Sequence, residues 1–395
     1  MKKLLSALLC FCILLTAAAC ARKPQEPPET TAPQSFPTAP AETTAPTVPA
    51  TEPIVYQSPL TALTLKPTVD RTFHEDGTEL SSFSYQVVYL VTQDAGITEA
   101  VSLDLMNRID AVRSTSEAVR SSAEASYDHS EQWYPFFTQI YYTPTRIDAG
   151  VLSLLGEEGS YSGGIHPNYL FSSVSYDLLT GKVLSLADVL TDGYSPEQLC
   201  QLVLDALQPE AETLYTNYAD VVLDRFAEGA SVSDGWYFSE NGLCFFFSPY
   251  EIAPYAAGPV VAEILYEKLV GVIKEAYFPA ELLGCSGTAE AVPFTQADIT
   301  GFSQFAEAIL DRDAPQALLY TDGAISNVRL QTGALSPDGT FQPELTVLAV
   351  STLGPGQAVT LQADLESTPL YLTYTSAGET LTRLLTMENG VLTLK

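Results

Sequence analysis

Apolar positions along this chain follow two periods, and the change from one to the other marks out its elements. Tyr85, Val87, Tyr89 and Val91 alternate with Gln86, Val88 and Leu90, the period of a strand with one strongly apolar face. Ile97, Val101, Leu105, Ile109 and Val112 then recur at helical spacing, which predicts a helix from about 97 to 123. Aromatic, β-rich stretches follow at Trp133–Thr143 and Gly150–Leu155. Tyr169–Leu178 and Lys182–Leu186 predict a hairpin around Thr180-Gly181. Ser195-Pro196-Glu197-Gln198 joins an N-cap, a first-turn proline and a capping-box glutamine, so a helix starts there with Leu199, Leu202, Val203 and Leu207 inward. A second helix is expected over Tyr218–Ala227. Trp236–Phe238 and Leu243–Phe247 flank Asn241-Gly242, a strong hairpin signal. The spacing of Ile264, Leu265, Leu269, Val272 and Ile273 predicts a last helix from Val261 to Ala276. Residues 60–280 therefore read as an α+β domain of mixed helix and antiparallel sheet.

Beyond a stretch from Pro279 to Thr295 that carries Gly284, Gly287 and Pro293 and reads as a linker, the pattern changes. A helical stretch is expected at Phe302–Leu310. Short apolar runs such as Leu345–Val350, Ala358–Leu361 and Leu370–Tyr374 are then punctuated by Asp322-Gly323, Asp338-Gly339, Gly354-Pro355-Gly356, Ala377-Gly378 and Asn389-Gly390. Residues 290–395 are thus expected to be a small, mainly β accessory domain, a sandwich or open barrel. Residues 60–280 are expected to fold without it.

The first sixty residues have neither period. Lys2 and Lys3 precede an apolar run, Leu4–Leu15, and Thr16-Ala17-Ala18-Ala19 places small residues before Cys20. That order is a secretory signal, residues 1–19, ending in a lipoprotein-type cleavage site with Cys20 as the lipidated residue. The apolar run is too short for a spanning helix, which needs about 20 apolar residues. Residues 20–59 hold ten prolines, seven threonines and three Thr-Ala-Pro repeats, and read as an extended tether. The expected location is the extracytoplasmic face of a bacterial membrane, held by the lipid anchor alone.

Charge narrows the partners. The chain carries 18 basic against 48 acidic residues, a net charge of −30, and loss of Lys2 and Lys3 makes it more negative. Nucleic acid and anionic surfaces are excluded as electrostatic partners, whereas a cationic protein is attracted. Acidity also serves an exported protein simply by keeping it soluble. Cys200, Cys244 and Cys285 are an odd set without paired spacing, so neither a disulfide framework nor a closed zinc site is expected. Cys200 and Cys244 sit among leucine, valine and phenylalanine and read as small buried hydrophobes.

Two motifs stand out. Gly163-Gly164-Ile165-His166-Pro167-Asn168 leads into an aromatic strand that ends at Tyr176-Asp177 and the Thr180-Gly181-Lys182 turn. Phe247-Ser248-Pro249-Tyr250-Glu251-Ile252-Ala253-Pro254-Tyr255-Ala256-Ala257-Gly258 follows later. The ordered pair resembles the extracytoplasmic domain of the RsiV-type anti-sigma factors, over about 65–278. The same domain occurs beside some peptidoglycan deacetylase domains. The resemblance implies a noncatalytic binding module, because the RsiV type binds lysozyme outside the cell. The candidate binding residues it marks are Gly163, Gly164, His166, Pro167, Asn168, Tyr250, Glu251, Pro254, Tyr255 and Gly258. The sigma-binding segment and the transmembrane helix of that type have no counterpart here, and the C-terminal region is additional. Each motif also has an architectural reading. The glycines permit positive φ, His166 can donate to a loop carbonyl, Tyr250 and Tyr255 can be core with wet hydroxyls, and Glu251 either pairs internally or meets a ligand.

No catalytic motif emerges. A wall deacetylase needs an Asp/His/His metal set, and His74, His129 and His166 are scattered along the chain, so no metal and no cofactor are expected. Gly159-Ser160-Tyr161-Ser162-Gly163 puts tyrosine where a serine elbow needs its nucleophile. A glycosidase needs only two carboxylates, which leaves a wall-glycan hydrolase using acidic residues as the alternative. Trp133, Tyr134 and Trp236 can stack on sugars or fill a core. The expected function is noncatalytic binding of a cationic, muramidase-like protein or of peptidoglycan fragments.

Overall fold

The structure, a computed structural model, describes residues 60–129, 132–227, 235–279, 285–294, 296–388 and 391–395. The expected signal, the tether and Cys20 lie outside the described residues. The elements in chain order are β1 (Ala62–Phe73), β2 (Glu79–Val91), α1 (Ala95–Ser126), β3 (Phe136–Ile147), β4 (Val151–Tyr161), β5 (Asn168–Asp177) and β6 (Lys182–Val183). Then come α2 (Leu186–Val189), α3 (Pro196–Leu207), α4 (Tyr218–Ala227), β7 (Trp236–Phe238), β8 (Gly242–Phe247) and β9 (Val260–Leu265). The rest is β10 (Ala289–Pro293), β11 (Gln304–Ile309), β12 (Gln316–Thr321), β13 (Ile325–Leu335), β14 (Phe341–Leu353), β15 (Gln357–Gln362), β16 (Leu370–Ser376), β17 (Glu379–Glu388) and β18 (Val391–Leu394).

The chain is α+β, as its patterning indicates. One sheet of eleven strands runs β18-β17-β16-β13-β14-β1-β2-β3-β4-β5-β6. It is antiparallel except at β2 and β3, which are parallel and joined through α1. Strand β1 lies between β2 and β14, with Ala62, Leu63 and Thr64 opposite Val350, Ala349 and Leu348. A single sheet thus continues from the N-terminal lobe into the C-terminal one.

Alternation along the strands assigns the layers. Leu63, Leu65, Ile140, Leu154 and Val174 face α1, which buries Val101, Leu105, Ile109 and Val112 on them. On the opposite face, Leu60, Ala62, Leu348 and Val350 meet the four-stranded sheet β10-β12-β15-β11 through Ala306, Leu319 and Val359. The C-terminal lobe is therefore a sandwich in which one layer is the shared sheet. Leu155 and Phe171, also on that opposite face, pack against Tyr237, Cys244 and Phe246 of the three-stranded sheet β7-β8-β9. Trp236, Phe238, Phe245 and Phe247 point the other way, into a core closed by α3 and α4. Strand β8 is thus covered on both faces, which explains its unbroken apolar run.

Local signals located several elements. Asp94 caps α1 by accepting from the Gly96 and Ile97 N–H groups. The Ser195/Gln198 capping box is formed, with Pro196 in the first turn of α3. Asn241-Gly242 does mark a turn, but Gly242 is required for a different reason. A Cβ there would lie 2.0 Å from the Ile264 carbonyl oxygen, so glycine allows β9 to approach. Cys200, Cys244 and Cys285 are free and buried. Burial pushes the Cys244 thiol up to about 12.

Three readings need correction. Val261–Ala276 is not a helix: β9 occupies Val260–Leu265, and short 3-10 turns follow. Val260, Ala262 and Ile264 alternate inward, and pairing with β8 outweighs the helical spacing of Ile264, Leu265, Leu269, Val272 and Ile273. Phe302–Leu310 likewise holds β11, whose Ala306 and Ala308 are buried and which pairs in parallel with β15. In β2 Gln86, Val88 and Leu90 form the buried face, while Tyr85, Val87, Tyr89 and Val91 are partly or fully exposed. Within the expected linker, β10 forms over Ala289–Pro293, and residues 280–284 and 295 lie outside the described residues.

Candidate functional site

The sheet gathers loops at one end. The β1–β2 turn, the entry to β3 after α1, and the β4–β5 loop all lie there, because Glu79 follows Phe73 in a hairpin, Phe136 sits beside Ser81, and Tyr161 pairs with Phe137. Both sequence motifs reach this region.

The Gly163–Asn168 motif forms the β4–β5 loop. Gly163 and Gly164 adopt φ of 93° and 116°, which explains the paired glycines. Ile165 is fully exposed. His166 donates through Nδ1 to the Pro167 carbonyl at 2.9 Å. The second motif leaves β8 and wraps back to the same loop. The Tyr255 ring stacks on His166 at 5.0 Å, and its hydroxyl donates to the Pro167 carbonyl at 3.3 Å. Tyr250 extends the group, 5.4 Å from Tyr255, and is 63% exposed. Tyr250 also has φ of 71°, uncommon for an aromatic residue and a sign that its surroundings impose the turn. Gly258 closes the segment at φ 70° after Pro254 has opened a short 3-10 turn. Asn168 starts β5 with its side chain exposed.

Glu251 is engaged internally. Its Oε2 accepts the Ser248 N–H at 2.8 Å, and its Oε1 lies 3.5 Å from Arg225. Arg225 in turn donates to the Phe246 carbonyl and covers the Phe247 ring. Glu251 therefore fixes the turn that presents Tyr250. The motifs together build a strip in which exposed Ile165, His166 and Tyr250 flank half-buried Tyr255, with an acidic residue held behind it. Such a surface can stack on a planar or sugar-like face, or receive an apolar and cationic protein patch.

The other aromatic candidates separate. Trp236 is core, Trp133 is half-buried, and Tyr134 is 71% exposed. Trp133 donates from its indole to the Glu79 carbonyl and stacks on Phe136. Phe136 meets Tyr161 edge-on, and Tyr161 donates to the Gly164 carbonyl. A run of rings thus connects the β3 entry to the motif loop.

Two histidines scattered in the sequence meet at this same end, a juxtaposition that sequence reading did not identify. His74 lies in the β1–β2 turn and His129 follows the C-cap of α1, with Asp76 between them. Asp76 Oδ2 is 3.1 Å from His74 Nδ1, 3.3 Å from His129 Nδ1 and 2.9 Å from the Tyr127 hydroxyl. The Thr78 N–H, bonded to Oδ1, leads the interactions that hold Asp76 below the usual carboxylate range. Burial raises the carboxyls of Glu157 and Glu158, but these neighbours in β4 project to opposite faces of the sheet and cannot flank one glycosidic bond.

Among the described residues, no helix is long and apolar enough to cross a membrane. No curated protein matches the chain. Two crystal structures are similar to it. One is a member of the DUF3298 family from Bacteroides fragilis, 17% identical at a TM-score of 0.41, covering 55% of this chain and 94% of that one. The other is a DUF3298 family protein from Pseudomonas aeruginosa, 14% identical at a TM-score of 0.39, covering 55% of this chain and 96% of that one. Residues 187–267 match the family described as "Protein of unknown function (DUF3298)", a span that includes the Tyr250–Gly258 motif and stops short of the Gly163–Asn168 loop. The chain therefore carries a DUF3298 family domain at residues 187–267.

Proposed function

We propose that this protein is a noncatalytic, surface-anchored recognition module, similar to the extracytoplasmic domain of RsiV-type proteins, for a cationic muramidase-like protein or for peptidoglycan fragments. The observation that carries this reading is the meeting of two distant motifs in one strip, Ile165, His166, Tyr255 and Tyr250. The Tyr250 ring, largely in water at a turn of positive φ, is expensive to maintain without a ligand. The charge of −30 favours a basic partner and steers its approach.

Incubating the full chain with soluble peptidoglycan fragments separates this reading from the hydrolase alternative. Binding without new reducing ends or released acetate supports recognition. Turnover of the glycan contradicts it and supports a hydrolase.

The same reading places the chain on the extracytoplasmic membrane face through Cys20. Replacing Cys20 with serine should release the protein into the medium and out of the detergent phase. Equal membrane retention of C20S would rule out lipidation at this position.

A further inference from the structure

We propose that His74, Asp76 and His129 form a binding site for a divalent transition ion of the Zn²⁺ class, with an open coordination position toward solvent. Three observations converge on it.

The first is spacing. The three donor atoms lie within 4.8 Å of one another, and two of the separations are 3.1 and 3.3 Å. Nitrogen and oxygen ligands bound to zinc at about 2.0–2.1 Å in tetrahedral geometry sit about 3.3 Å apart. The cluster already has two edges of that polyhedron, and small side-chain rotations close the third.

The second is convergence on one carboxylate oxygen. Asp76 Oδ2 has His74 Nδ1 at 3.1 Å, His129 Nδ1 at 3.3 Å and the Tyr127 hydroxyl at 2.9 Å. Two imidazole nitrogens and a carboxylate oxygen therefore face one point. A cation there takes the place of the imidazole protons that otherwise bridge these atoms.

The third is the setting. The site lies just beyond the C-terminal end of α1, a helix of 32 residues with no basic residue in its last turn. The negative end of the helix dipole therefore faces the cluster without a cationic side chain from that turn. Tyr127 holds the carboxylate through its hydroxyl, as an outer-sphere partner orients a ligand. His129 has φ of 60°, a backbone conformation that residues other than glycine seldom adopt, and its ring reaches Asp76 while remaining open to solvent. The three side chains remain one-third to two-thirds exposed, so water or a donor from a partner can complete the shell. Imidazole and carboxylate donors suit Zn²⁺ and Co²⁺ more than Mg²⁺ or Ca²⁺.

The test is titration of the chelator-treated full chain with Zn²⁺ by calorimetry and with Co²⁺ by visible absorption. Wild type should take up one equivalent and give a Co²⁺ spectrum of low coordination number. H74A and H129Q should each weaken binding at least tenfold, and Y127F by about tenfold through lost orientation of Asp76. H166A, in the neighbouring loop, should bind as wild type does. Circular dichroism of each variant verifies folding, and H129Q changes an exposed side chain only. No saturable binding by wild type, equal affinity of wild type and H129Q, or loss confined to H166A would each overturn the assignment.

Discussion

Replacing Arg146 with alanine is expected to destabilise the protein by about 3–5 kcal/mol, the range for a buried ion pair stripped of one partner. Arg146 is 3% exposed and reaches β3's neighbours only because of a bulge. Pro144 pairs with Leu154 and Arg146 with Ser153, so Thr145 is the extra residue. The extra residue turns Arg146 from the α1 face to the side of the three-stranded sheet. There its guanidinium bonds Asp148 at 2.7 Å, the Tyr266 hydroxyl at 2.7 Å and the Tyr277 carbonyl at 2.6 Å, and it covers the Phe238 ring. Burial pushes the Tyr266 hydroxyl up to about 12, so it stays a neutral partner at physiological pH. R146K keeps the charge but not the planar fork, and should fall between wild type and R146A. Urea unfolding followed by tryptophan fluorescence measures the order. R146A within about 1 kcal/mol of wild type, the value of an exposed pair, would contradict the role assigned to this residue.

The second large effect is expected at Glu240. Arg329 of β13 is buried, and its guanidinium bonds Glu240 in the β7–β8 turn at 2.9 Å. This pair joins the C-terminal lobe to the three-stranded sheet. Burial pulls the Arg329 pKa down and Glu240 opposes that shift. Among the described residues, E240A leaves the buried cation the Val328 and Val350 carbonyls, at 3.1 and 3.5 Å. Glu240 is itself 41% exposed, so solvent recovers part of the loss and about 1–3 kcal/mol is expected. Adding R329M should restore much of it, because the uncompensated charge is then gone. A double-mutant cycle measures the coupling, and strict additivity of the two changes would contradict the pairing.

What could be read from the sequence depended on how local the cause was. The capping box at Ser195 and Gln198, the α4 boundaries and the α1 period are settled within a few residues, and all three match. Strands β9 and β11 look helical in sequence because short runs such as Val-Val-Ala-Glu-Ile-Leu fit either period. The partners that decide, β8 and β15, are supplied by the rest of the fold. The two motifs were legible as motifs, but their contact was not, since it depends on β8 returning the chain to the β4–β5 loop. The His74–Asp76–His129 cluster had no local signal at all. It exists because a hairpin and a parallel crossover bring the end of β1 and the end of α1 to one end of the sheet. Arg146 was equally silent, since a one-residue bulge decides which face it joins.

The most direct test of the recognition surface is titration of the full chain with a cationic lysozyme and with soluble peptidoglycan fragments at low salt, comparing wild type with Y255A and Y250A. If the strip carries binding, wild type forms a complex with one of these ligands and Y255A loses about 2 kcal/mol, roughly thirtyfold in affinity, as central aromatic contacts do. Y250A, at the edge of the strip, should lose less. A lysozyme complex should also weaken steeply as salt rises, because screening contracts the acidic field to about 8 Å at physiological ionic strength. No complex with either ligand, or equal affinity for wild type and folded Y255A, would contradict the account.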